Sequence, residues 1–453
     1  MPPRTLTNAQ KTILAMASRS AIANTFQSLY SDITYKEWLH NNVYSVNTTT
    51  TIEDHFRTNS INSIDLCKYV AASIPTHCMD GWGFLGRAIH CVVRGDTNTA
   101  RHLAYYAELR AAMSLLASAG IGVLNNTHVV IDNNGHAHEF PDHPDRRGTH
   151  VFTWLALENW SSTQQAANLL GDIVKVNSVS LRDWLIEFVA TGNLATLASY
   201  WLSSWGLDLN ILNNDHDARN IVSYRPSHIT NTVCVNALES SSFISDLWST
   251  LNPYQTTRYN LLDRYLLRKS LQTINRDTPL PDAHGGQISY SDRVSSMLSR
   301  FSFGTAVSDS YKNFFVGNNF PDPIILSEAE KRQPYNDPRH HFEVLSRATL
   351  LLRIATGSCF QLINSATFSS TDLEFWWNNL GVERGLWNQR NKPGNNSGDI
   401  ITLWDDVDIA LQKISAWNSK VSHPSYSGLI SKQNTSLRVL ESCERIGLWG
   451  LIP

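Results

Sequence analysis

Residues Asp96 to Gly120 read DTNTARHLAYYAELRAAMSLLASAG, and the fold turns on this stretch. Asp96 or Thr97 can accept the first unpaired N–H groups of a helix, the Ala and Leu run favours helical backbone, and Gly120 suits the stop. The spacing predicts a helix over 97–119. Ala104, Ala107, Ala111 and Ala112 are small enough to let a second helix approach closely, so this helix is expected in the interior. Tyr105, Tyr106, Glu108 and Arg110 form either a polar site or the edge of the core, and the core assignment is preferred.

Downstream the period changes from near 3.6 to 2. Thr127 to Phe140, THVVIDNNGHAHEF, places Val129 and Ile131 before Asp132-Asn133-Asn134-Gly135 and then alternates, which predicts one β-hairpin. Helical spacing resumes over 149–176, 181–189 and 194–207, and again over 341–358, where it stops near Gly357, then over 373–380, 409–417 and 437–446. Upstream it covers 8–31, 35–43, 61–74 and 84–93, the third ending where Pro75 disfavours helical geometry at the residue before it. These patterns predict a mainly α, multi-helix globular protein of two packed helical units with one small β-hairpin near residues 127–140. Turn-forming clusters at 279–286, 317–323 and 333–338 place an N-terminal helical unit at 1–278, a turn-rich connection at 279–338 and a C-terminal helical unit at 339–453. The absence of a fixed repeat period argues against a solenoid.

A chain of 453 residues that is 42% apolar and 17% charged can bury a large core without disulfide or metal staples. Its 37 basic and 40 acidic residues leave a net charge of -3, which commits the whole molecule neither to nucleic acid nor to anionic membrane, although a local basic groove fits that balance. The six cysteines are scattered without a CxxC pair and read as reduced core thiols of a cytoplasmic protein. Nothing resembles a secretory leader or a membrane-spanning run.

Three groups of residues could carry chemistry. His136 and His138, two apart on a strand, share a face, and with His143 from the following turn they could hold a metal; a solvated polar hairpin is the competing and preferred assignment. Trp376, Trp377, Arg384 and Trp387 are of the types that dominate protein-binding surfaces, and Trp is equally a core filler. The third group is Arg219, Asn220, Tyr224 and His228 in NDHDARNIVSYRPSH (Asn214 to His228).

This last segment resembles the nuclease motif of HEPN-type all-α ribonucleases, in which an Arg followed by a polar residue is followed by a His after four to six intervening positions. The resemblance covers about 15 residues and implies metal-independent RNA cleavage across a dimer, with Arg219 stabilising phosphate charge. Tyr224 occupies the place of the family's histidine. His228 follows Arg219 after eight intervening residues, past Pro226. The competing assignment is a helix end capped by Asp215 or Asp217, with Arg219 in a structural ion pair.

No phosphate loop, dinucleotide fingerprint, nucleophile elbow or zinc knuckle is present in the sequence. The expectation is therefore a non-enzymatic helical subunit or adaptor that needs no cofactor. It would bind protein partners in a cytosolic assembly, for which a bacterial defence or nucleic-acid-processing system is a suitable home. RNA, DNA or a second copy are further partners, and membrane is not. The alternatives are a HEPN-like ribonuclease using Arg219 and a metal-dependent enzyme at the hairpin.

Overall fold

The computed structural model describes residues 5–141, 147–186, 188, 197–209, 215–220, 235–252, 258–280, 286–390, 392–393 and 403–453. Helices α1 (Asn8–Leu14), α2 (Arg19–Ser28), α3 (Tyr30–Ile33) and α4 (Thr48–Arg57) precede two long helices, α5 (Ser63–Val92) and α6 (Thr97–Ser118). Strands β1 (Ile121–Leu124), β2 (Thr127–Ile131) and β3 (Ala137–Glu139) follow. Next come α7 (Thr149–Ser161), α8 (Gln164–Ile173), β4 (Lys175–Val176), β5 (Val179–Ser180), α9 (Leu181–Leu185) and α10 (Leu197–Ser204). The second half holds α11 (Ala237–Leu251), α12 (Asn260–Asp277), α13 (Tyr290–Ser299), α14 (Thr305–Val316), α15 (Ile324–Ala329) and α16 (His340–Ser365). It closes with α17 (Glu374–Glu383), α18 (Leu403–Asn418), α19 (Tyr426–Leu440) and α20 (Glu444–Leu451). The protein is mainly α, as its periodicity predicts.

Helix α6 is the interior helix expected from its alanines: Ala104, Ala107, Ala111 and Ala112 are all buried. Asp96 caps it by accepting the Thr99 N–H at 3.1 Å, and Gly120 takes the left-handed φ of +96° just beyond its end. It packs between α5 and α16. One hydrophobic cluster runs from Leu14 to Ile452 through these three helices, so the division drawn at 279–338 leaves the core continuous.

Two expected stops do not stop the chain. Pro75 lies inside α5, which is continuous to Val92. An internal proline costs about 3 kcal/mol. Here the Ser73 and Thr76 hydroxyls bond to carbonyls of the same turn region, and Ser114 of α6 donates to Ile74 O at 2.8 Å. Burial of Leu66, Val70, Ile74, Cys78 and Trp82 outweighs the break. Likewise α16 runs through Gly357 to Ser365 because Cys359, Leu362 and Ile363 continue its buried face.

Residues 35–43, expected as helix, form turns instead. Lys36 and Asn41 take left-handed φ, the Asp32 carboxylate accepts the His40 N–H at 2.9 Å, and Tyr35 stacks on His40. The expected hairpin is present as β2–β3, with Ile131 opposite Ala137, and β1 adds a third antiparallel strand, Leu124 pairing Thr127 across the Asn125-Asn126 turn. A second small sheet joins β4 to β5.

Candidate functional site

Below the surface, α16 presents Arg347 to Asp215 in a bidentate pair. Arg347 Nε donates to Oδ2 and Nη2 to Oδ1, each at 2.8 Å, and both side chains are fully buried. Such a pair is held only where its geometry is good, because desolvation opposes the Coulomb attraction. Glu108 of α6 lies beside it, with Oε1 3.9 Å from Arg347 Nε. Burial and the Asp215 charge push the Glu108 carboxyl well above the usual range, opposed by the Arg347 charge. Burial, opposed by the Arg347 charge, raises Glu343 to about 7. Asp215 is thus a buried anchor rather than a helix cap.

That anchor fixes the helical residues 215–220, and their outward side chains meet α6 and α7. Arg219 donates from Nη2 to the Tyr106 hydroxyl, and its guanidinium carbon lies 5.3 Å from the Tyr106 ring centre. From Nη1 it donates to Asn220 Oδ1 at 2.7 Å. A guanidinium can only donate, so the Asn220 amide is oriented: its Nδ2 donates to His216 Nε2 at 3.2 Å. Neutral His216, assigned from this network, carries its proton on Nδ1, which faces Asp217 Oδ1 at 3.8 Å.

A second relay arrives from the core. Trp154 Nε1 donates to the Tyr105 hydroxyl at 3.2 Å, and the indole has no other role than donor. Buried Tyr105, its phenol held protonated by desolvation, is left to donate to His150 Nδ1 at 2.9 Å. Neutral His150 therefore keeps its proton on Nε2. The His150 and His216 rings stack at 5.3 Å and 12°, and His102 lies 5.1 Å from Tyr106. Burial first, then the Arg219 charge, with the neighbouring His216 and His102 rings contributing after it, brings His150 down to about 4. Burial and Arg219 lower His102 as well.

His102, Tyr106, His150, His216, Arg219 and Asn220 are all partly exposed, while Tyr105, Glu108, Asp215 and Arg347 lie beneath them. The result is an accessible cluster of imidazoles and one guanidinium, backed by relays that fix where each proton sits. It can hold an anion and exchange protons with it.

Of the expected nuclease residues, Arg219 and Asn220 belong to this cluster. Tyr224 and His228 lie outside the described residues. The cluster's imidazoles come instead from 102, 150 and 216. The spacing of His216 three residues before Arg219 and four before Asn220 was the available local signal for one of them. His102, Tyr105 and Tyr106 share a face of α6 by the same rule, but no local pattern joins them to residue 219. Arg110 belongs elsewhere, bonded to His77 at 2.9 Å.

The other two groups are committed inside the chain. Trp377 is fully buried and donates to Ser370 O at 2.8 Å, so it is core rather than contact surface. Trp387 packs edge-on against Trp377, Trp376 packs edge-on against Trp38, and exposed Arg384 lies 3.7 Å from Glu444. At the hairpin, His138 and His136 both turn to Asp132, at 2.8 and 3.6 Å. Hydrogen bonds from His138 and from the His136 and Asn134 N–H groups overcome partial burial and hold that carboxyl down to about 2. His143 lies outside the described residues. Among the described residues no group of three or more His, Cys, Asp or Glu is arranged to hold a metal ion, and no helix is long and apolar enough to cross a membrane.

No family model matches the chain, and neither does any curated protein or solved structure.

Proposed function

We propose that the Arg219 cluster binds an RNA phosphodiester and cleaves it without metal. The observation that supports this reading is the meeting of Arg219 and Asn220 with His102, His150 and His216 on one accessible surface. Arg219 takes a non-bridging phosphate oxygen. The bound anion offsets the positive field that holds His150 down, so His150 gains a proton. His216 Nε2, released by Asn220, takes the 2′-hydroxyl proton as the 2′ oxygen attacks phosphorus, and His150 protonates the departing 5′ oxygen. One P–O bond forms and one breaks, giving a 2′,3′-cyclic phosphate and a 5′-hydroxyl.

The test is cleavage of end-labelled single-stranded RNA in excess EDTA. Arg219→Ala and His150→Ala are each expected to lower the rate by about 10²-fold or more, with unchanged circular dichroism. Absence of cleavage by the wild type, or equal rates in wild type and Arg219→Ala, refutes the reading.

A second reading, a helical subunit that docks on a protein partner, is favoured by a different surface. Tyr35, Val43, Val46 and Ile64 are 61, 47, 70 and 72% exposed. Val43 is tied beside Ile64 because its N–H donates to Asp65 at 3.3 Å. Exposed apolar side chains held side by side, as Val43 and Ile64 are, mark contact surfaces. Elution in sizing experiments that moves with concentration in the wild type and not in Ile64→Asp would support docking between copies; a purified wild type that stays a monomer and binds no apolar surface probe leaves this patch without that role.

A further inference from the structure

The cluster does not end at Arg219. Tyr106 stacks on Phe84 of α5, with ring centres 5.3 Å apart and planes at 23°, and the Arg87 guanidinium lies 4.3 Å above the Phe84 ring centre. Phe84 and Arg87 are three apart on α5, and His102 and Tyr106 are four apart on α6, so each pair shares one helix face. Cation, ring, ring and cation therefore follow one another from Arg87 through Phe84 and Tyr106 to Arg219, with His102 against the second ring. Arg87 is exposed, and Phe84, Tyr106 and His102 are partly so. This row runs straight into the stacked His150 and His216.

We infer that this row is a track for single-stranded nucleic acid: exposed Arg87 swings off the outer face of Phe84 to take a phosphate, a base stacks on Phe84 in its place, and Arg219 takes a phosphate further along the same strand. Stacking needs an unpaired base with a free face, and every base has one, so the track selects single strands over duplex and reads little sequence. It rests on the cleavage reading only for the direction of travel, toward His150 and His216. The row itself discriminates sugar weakly, since rings and guanidinium groups contact base and phosphate.

A fluorescein-labelled DNA 12-mer separates binding from cleavage, because a strand without 2′-hydroxyls cannot be cut by 2′-oxygen attack. Anisotropy titrations at low salt are expected to show binding of this probe and of the matching RNA, and at least tenfold weaker binding of the duplex. Phe84→Ala is expected to weaken single-strand binding by about tenfold. Arg87→Gln, at an exposed position where folding is not at stake, is expected to reduce the slope of log affinity against log salt by about 0.7. Duplex binding as tight as single-strand binding, or wild-type affinity and salt slope in Arg87→Gln, overturns the track. Binding of the DNA with these variant effects, but no RNA cleavage, upholds the track and removes the cleavage reading. Cleavage with variant-insensitive binding does the reverse.

Discussion

Arg219 donates in two directions, to a phenol and to an amide, and through the amide it sets the proton on His216. Lysine has neither the fork nor the fixed plane, so Arg219→Lys is expected to keep charge yet lose most of the proposed RNA cleavage, as a kcat deficit larger than any change in KM. Tyr105 sets His150 in the same way. Tyr105→Phe removes the hydroxyl that donates to Nδ1 and accepts from Trp154, and it is expected to leave the fold intact while moving the acid limb of the pH–rate profile; an unmoved profile would show that His150 is not set through Tyr105. At this scale the sequence is half legible. Arg219-Asn220 stands out in it, but Asp215 reads equally as a cap. Its burial against Arg347, 132 residues further on, is a tertiary fact with no local trace.

Among the elements, α5 and α6 differ in how plainly they can be read. Helix α6 announces both ends, Asp96 by its carboxylate and Gly120 by its φ. Helix α5 hides its length behind Pro75, Gly81 and Gly83, because the features that break an isolated helix are overridden by partners that sequence order does not reveal. Gly86 is a close approach of α5 to the chain between α19 and α20: a Cβ there would run into the Glu441 carbonyl oxygen. Gly86→Ala is expected to cost about 1–3 kcal/mol in urea unfolding, with the loss seen as a lower midpoint. The anchor of residues 215–220 gives a second test. Arg347→Met leaves the Asp215 charge buried and unpaired and is expected to cost about 3–5 kcal/mol. Adding Asp215→Asn should restore part of that; additive losses would mean that the pair is not the coupling described. Short strand β1 escaped prediction because Ile121-Gly122-Val123-Leu124 is too brief to show a period of 2 against the helix before it.

For the molecule as a whole, the pH dependence of stability follows from imidazoles kept neutral. Burial, and after it neighbouring positive charge, lowers His77, His340 and His341 to about 3 and His150 to about 4, from an ordinary 6.5. Folding therefore excludes protons that the unfolded chain binds. The stability these groups allow is present above pH 6.5 and is lost as pH falls toward 4. Glu108 and Glu343 act in the opposite sense, since carboxyls held above their ordinary range favour the folded chain at low pH. Among the described residues burial also lowers His102 and raises Asp246 and Asp263, so five imidazoles face four carboxyls and the melting temperature is expected to fall modestly between pH 6.5 and 4.5, with net proton uptake on unfolding. A melting temperature that rises over that interval would contradict this balance.

On the reading proposed above, a chain with no local catalytic signature folds so as to set Arg219 against imidazoles that respond to an anion. Proton NMR of the His150 ring reads that response. In the free protein His150 should titrate near 4, and saturation with the uncleavable DNA 12-mer should raise its midpoint by at least one pH unit. A His150 that titrates near 6.5, or one whose midpoint does not move when the strand binds, would contradict the claim.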